Sequence, residues 1–146
     1  MATFLLHRTA PLPPPEAWRR LTDWTRHGAV VPLTRVTVLT APPTGPGTLF
    51  VARSGVGPLT VDDRMEVVDW QPPTTTAPGH CRLEKRGRTV LGWAEIEVSP
   101  EPGGRSRVTW REEIGLRFLP RLVDPALKRT SEIVFGRAAD RLLRMP

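Results

Sequence analysis

The chain has 146 residues, enough for one domain (1–146) that buries a sizeable core without disulfides or a structural metal. Its net charge of +6 comes almost wholly from arginine, since Lys85 and Lys128 are the only lysines. The tightest basic cluster, Arg82, Lys85, Arg86 and Arg88, has no interleaved aromatics and no nucleic-acid motif, so no nucleic-acid partner is expected. One cysteine, Cys81, excludes an internal disulfide and fits a reducing compartment. Phe4 to Leu6 is too short an apolar run for a signal peptide or membrane span, and a soluble, cytoplasmic protein is expected.

Thr3 to Thr9 has the composition of a short strand, which the prolines at 11 and 13 to 15 stop. Pro15 opens a short helix with Trp18 and Leu21 on its buried side, and a second helical piece, Asp23 to Val31, closes at Pro32. From Arg35 the pattern becomes strands: Arg35 to Thr40, Thr48 to Ser54, Thr60 to Trp70, Cys81 to Lys85, Thr89 to Val98 and Arg107 to Phe118. Gly- and Pro-containing connections join them as hairpins, giving six or seven strands.

The last segment, Pro125 to Arg144, is a five-turn amphipathic helix, with Asp124 in the N-cap position and Pro125 at the first helical residue. Leu127, Ser131, Val134, Phe135, Ala138 and Leu142 share a face. Ser131 and Ala138 are small for a filled core, so the stripe implies either close approach of a sheet or room for a ligand. The element order is α+β, and a meander of this length curls around the final helix.

Four stretches resemble the START-related (SRPBCC) superfamily, and within it the small polyketide cyclase/dehydrase-like proteins of actinobacteria. They are LTDWTRHGAVVP (21–32), DRMEVVDWQPP (63–73), GWAEIEVSP (92–100) and VTWREEI (108–114). The resemblance implies a helix-grip fold and spans nearly the whole chain. Its activities range from lipid carriage to aromatase/cyclase chemistry, so it fixes the fold rather than the function.

The strand alternation places Glu112 with Val108, Trp110 and Ile114, and Asp63 with Val61, Met65 and Val67. Two carboxylates in one apolar concavity have three readings: a salt bridge, with Arg53 a candidate partner for Asp63; a ligand contact; or proton transfer through carboxyls whose pKa burial has raised. His27, near the cavity mouth by resemblance, is the third candidate for proton transfer and is alternatively a surface or capping group. No nucleophile elbow, Walker loop or metal-ligand spacing is present, and neither cofactor nor metal is expected.

The leading expectation is therefore binding of a small hydrophobic ligand, a lipid, acyl chain or polyketide, between the curved sheet and the C-terminal helix. Val61, Asp63, Met65, Trp110, Glu112, Ile114, Ser131, Val134 and Ala138 are the expected ligand-contacting residues. A polyketide cyclase/dehydrase using Glu112, Asp63 or His27 is the enzymatic alternative, and an interaction module built on the basic hairpin at Arg86 is a third. Trp93 and Leu91 point outward in this register, where they suit a dimer contact, so the chain is expected to be a monomer or homodimer.

Overall fold

The computed structural model describes residues 1–144. Strand β1 (Ala2–Ala10) leads into the short helices α1 (Pro14–Leu21) and α2 (Trp24–Val30). The strands β2 (Thr34–Val38), β3 (Leu49–Val56), β4 (Leu59–Gln71), β5 (Gly79–Lys85), β6 (Val90–Glu101) and β7 (Arg105–Leu116) follow, then α3 (Asp124–Arg144). All seven strands form one antiparallel sheet in the order β1-β7-β6-β5-β4-β3-β2. The expected α+β helix-grip architecture is the observed one: the sheet curves around α3, which packs along edge strand β1, while α2 packs along the opposite edge strand β2.

Two local features bend the sheet. A register shift between Val67 and Asp69 marks a bulge in β4, which adds twist where the strand crosses the concavity. In β6, Gly92 takes φ 128°, and a Cβ built there would lie 1.9 Å from the Glu113 carbonyl oxygen, so only glycine lets the backbones come this close.

The core divides along the length of the sheet. At the α1 end, Leu21, Val98, Val108 and Leu142 are fully buried and the interior is filled. Trp18 packs on Trp70 there, with ring centroids 5.0 Å apart. At the opposite end, where the β3–β4 hairpin, the α2–β2 turn and the β7–α3 connection converge, the concave face stands away from the helices.

One expected detail is corrected. Asp124 does not cap α3 from an extended conformation, because a 3-10 turn at Arg121–Val123 runs directly into the helix and Asp124 is itself helical (φ −54°, ψ −42°). Its Oδ2 instead accepts a hydrogen bond from the N-terminal amine of Met1 at 2.9 Å, tying β1 to the start of α3.

Candidate functional site

The hollow end holds a cavity of about 470 Å³ that opens to the surface. Its floor follows from the period-2 alternation of the strands. β4 contributes Val61, Asp63 and Met65; β7 contributes Trp110, Glu112 and Ile114; β3 contributes Phe50 and Ala52; β5 contributes Leu83 and Lys85. Trp24 and His27 from α2 and Phe135 from α3 form the roof. Ring contacts brace this roof: Trp24 stacks on Phe50 at 4.7 Å, and Phe135 stacks on Phe4 at 5.5 Å while tilting against Trp110 at 5.6 Å. Leu33 and Leu59, both largely exposed, line the mouth.

Six of the nine residues expected to contact a ligand, Val61, Asp63, Met65, Trp110, Glu112 and Ile114, therefore lie on the cavity wall. Ser131, Val134 and Ala138 do not; α3 reaches the cavity through Phe135 instead. Ser131 and Ala138 are buried in packing contacts, and between them Gly136 lies against Arg8 and Leu6 of β1. The small residues of the stripe thus serve close approach to the sheet, the other option that the stripe presented.

The polar centre is an ion cluster. Lys85 Nζ donates to Asp63 Oδ2 at 2.7 Å, lies 3.4 Å from Glu112 Oε2 and 3.9 Å from Met65 Sδ. Trp110 Nε1 donates to Glu112 Oε1 at 3.2 Å. Lys85 belongs to this interior because β5 alternates: Arg82 and Glu84 are partly exposed, whereas Cys81, Leu83 and Lys85 are buried. The partner expected for Asp63 is accordingly corrected, since Arg53 turns outward and grips Asp62 with two hydrogen bonds of 2.7 and 3.0 Å. The inward turn also removes Lys85 from the basic surface cluster.

Lys85 reaches Glu112 across β6, whose concave-facing residues at this level are Gly92 and Ala94; their small size leaves its alkyl chain a path. Burial raises the pKa of both carboxyls; Lys85 opposes this for each, and the Asp63 charge adds to it for Glu112. For Lys85, burial pulls the pKa down but the two carboxylates outweigh it, so the ammonium stays charged. Two carboxylates and one ammonium leave the carboxylates in excess by one.

His27 faces the same cavity, between the rings of Trp24 and Trp110 at 5.6 and 5.7 Å. Its Nε2 sits 2.7 Å from the Leu21 carbonyl oxygen, which accepts and so assigns the proton to Nε2. Burial pushes this imidazole below its usual pKa, and the Leu21 carbonyl counteracts only in part. The neutral ring presents Nδ1 as an acceptor. Cys81 is buried beneath the sheet's inner face, with its thiol pushed up to about 12, and carries no nucleophilic role. Among the described residues no group of three or more His, Cys, Asp or Glu side chains is placed to hold a metal ion, and no helix is long and apolar enough to cross a membrane.

A curved antiparallel sheet closed over a long C-terminal helix, with a mostly apolar cavity between them, defines a helix-grip protein of the START/SRPBCC superfamily. Within that class the chain belongs to the polyketide cyclase/dehydrase and lipid transport family, whose sequence profile matches residues 1–144. No curated protein matches the chain. Among solved structures, a protein of Thermus thermophilus superposes with a TM-score of 0.71 at 16% identity, covering 97% of each chain. The lipid transfer and protein localization domain of human StarD13 gives 0.70 at 12% identity, covering 97% of this chain and 75% of that one. The Zhui aromatase/cyclase of a Streptomyces species gives 0.61 at 14% identity, covering 97% and 90%. At these identities the likeness is one of fold.

Proposed function

We propose that this protein binds a small hydrophobic molecule in the cavity between the curved sheet and α3. The observation that carries the reading is the cavity itself: a mainly apolar space, open at its mouth, with a few convergent polar groups at its centre. A dry core would not leave about 470 Å³ unfilled between well-packed aromatic walls. The family and the fold neighbours support a lipid, acyl or polyketide-like ligand. The protein acts in this reading as a single cytoplasmic domain.

The test is native mass spectrometry of protein purified from its own host, together with the variant Ala52→Phe. Ala52 lies beside Asp63 on the cavity wall, and a phenyl ring there occupies the space a ligand needs. The expected result is a retained hydrophobic molecule in the natural protein and none in the folded variant. Equal retention by both would refute cavity binding.

A second reading is favoured by one specific observation, the raised carboxyls of Asp63 and Glu112 beside His27 in the same enclosure. A carboxyl whose pKa burial has raised holds a proton more readily and can pass it on, which is what cyclisation or dehydration of a polyketide chain requires. Glu112→Gln then abolishes turnover of a linear polyketide thioester while sparing its binding. Unchanged product formation would remove this reading.

A further inference from the structure

We infer that the ligand of this cavity carries a hydrogen-bond donor, a hydroxyl or a protonated amine, on an otherwise apolar body, and that a carboxylate-headed lipid is not its ligand. The inference rests on the cavity-binding reading above and narrows the ligand class.

The donors and acceptors facing the cavity are unequally engaged. Its charged and titratable groups are His27, Asp63, Lys85 and Glu112; Arg53, on the neighbouring strand, points away to Asp62. The donors around the ion cluster and at the mouth that could greet an anionic or carbonyl head are already engaged. Lys85, with 1% of its side chain exposed, is held by both carboxylates. His27 gives its Nε2 proton to Leu21, and Trp110 gives its indole proton to Glu112. At the mouth, Thr34 donates to the Pro32 carbonyl at 3.0 Å, and the Ser54 hydroxyl is taken up by Thr34 at 2.7 Å. The Trp24 indole N–H lacks a partner and is as buried as Asp63 Oδ1, but it belongs to the roof on α2 and not to the ion cluster.

Acceptors, in contrast, are in surplus. A carboxylate offers about four lone-pair sites, and Asp63 uses one of them, at Oδ2; Oδ1 has no partner at all. Asp63 is also the member of the cluster that meets the cavity, with 18% of its side chain exposed against 4% for Glu112. A ligand carboxylate entering beside Asp63 would meet excess carboxylate and no free donor of the cluster, an arrangement that is costly in an apolar site. A hydroxyl finds an acceptor, and an ammonium also cancels the surplus charge.

The experiment uses the full chain, with displacement of the neutral fluorophore N-phenyl-1-naphthylamine at neutral pH. The competitors are dodecylamine, dodecanol, methyl dodecanoate and dodecanoic acid, each below its micellar concentration. The expected order has amine and alcohol at least about tenfold tighter than ester and acid. In Asp63→Asn, whose amide supplies a donor, the ester should draw level with the alcohol and the amine should lose its advantage. Should the variant fail to fold, the ranking on the natural protein decides alone. Equal affinities across the series, or an acid or ester that binds as tightly as the alcohol, would overturn the inference while leaving cavity binding intact. Failure of the fluorophore and all four competitors to bind would overturn cavity binding, and the inference with it.

Discussion

Lys85 and Asp63 meet diagonally across strands β5 and β4, Nζ to Oδ2 at 2.7 Å, and from the same position Lys85 also reaches Glu112 on β7. The pairing is what makes two inward carboxylates tolerable in an apolar concavity. Removing both anions' shared cation should therefore be far worse than removing an exterior one. Lys85→Met leaves Asp63 and Glu112 buried without their partner, and the expected loss is about 3–5 kcal/mol at neutral pH, measured by urea unfolding. Arg53→Ala, which breaks the exposed pair with Asp62, should change stability very little. The defect of Lys85→Met should also shrink on acidification, as the stranded carboxyls take up protons.

Glu112→Gln removes the surplus negative charge and keeps the shape. The Glu112 carboxyl has a folded pKa above its unfolded value of 4.5, so the folded state holds this proton more tightly than the unfolded chain. Stability tied to that proton is fully present below 4.5 and is lost as pH rises through the folded pKa. The variant should lack this slope and equal or exceed the natural protein in stability at neutral pH. Parallel stability curves for the two proteins across pH 4 to 8 would show that Glu112 is already ionised without penalty.

Glu112 was legible because β7 alternates over many residues, placing it between Trp110 and Ile114 with little ambiguity. Lys85 was hidden by its neighbours. Read as a run, Arg82, Lys85, Arg86 and Arg88 look like one basic surface, whereas the strand period divides Lys85 from Arg82. Cys81, Leu83 and Lys85 at alternate positions were the available signal. The choice of Lys85 over Arg53 as partner for Asp63 depends on register across three strands, which no local pattern encodes. The orientation of α3 was likewise only half legible: its apolar stripe was visible, but a small rotation decides whether Phe135 or Val134 faces the cavity.

That rotation is testable. Phe135 lines the cavity and is only half-buried, so Phe135→Ala should cost roughly 2–3 kcal/mol, less than truncation of a fully enclosed ring, while admitting bulkier ligands. Ala138 is fully buried and away from the cavity, so Ala138→Phe should overpack the helix by about 1–3 kcal/mol and leave the affinity of the folded fraction for the fluorophore unchanged. A Phe135→Ala variant with unaltered ligand size limits would place the binding space elsewhere.

Gly92 couples the backbone of β6 to the ion cluster. A side chain there meets the Glu113 carbonyl oxygen at 1.9 Å, and its φ of 128° is foreign to L-residues. Gly92→Ala should therefore combine backbone strain with a clash that pushes β6 away from β7, costing more than about 3 kcal/mol. Gly57, in the β3–β4 turn at φ 58°, has nothing within 4 Å of an added Cβ. Gly57→Ala should thus cost only the left-handed penalty, about 1 kcal/mol. Thermal or urea unfolding distinguishes the two. If Gly92→Ala proved as mild as Gly57→Ala, β6 could shift away from β7 without penalty, and the close approach of these strands would not be what holds Lys85 and Glu112 in register.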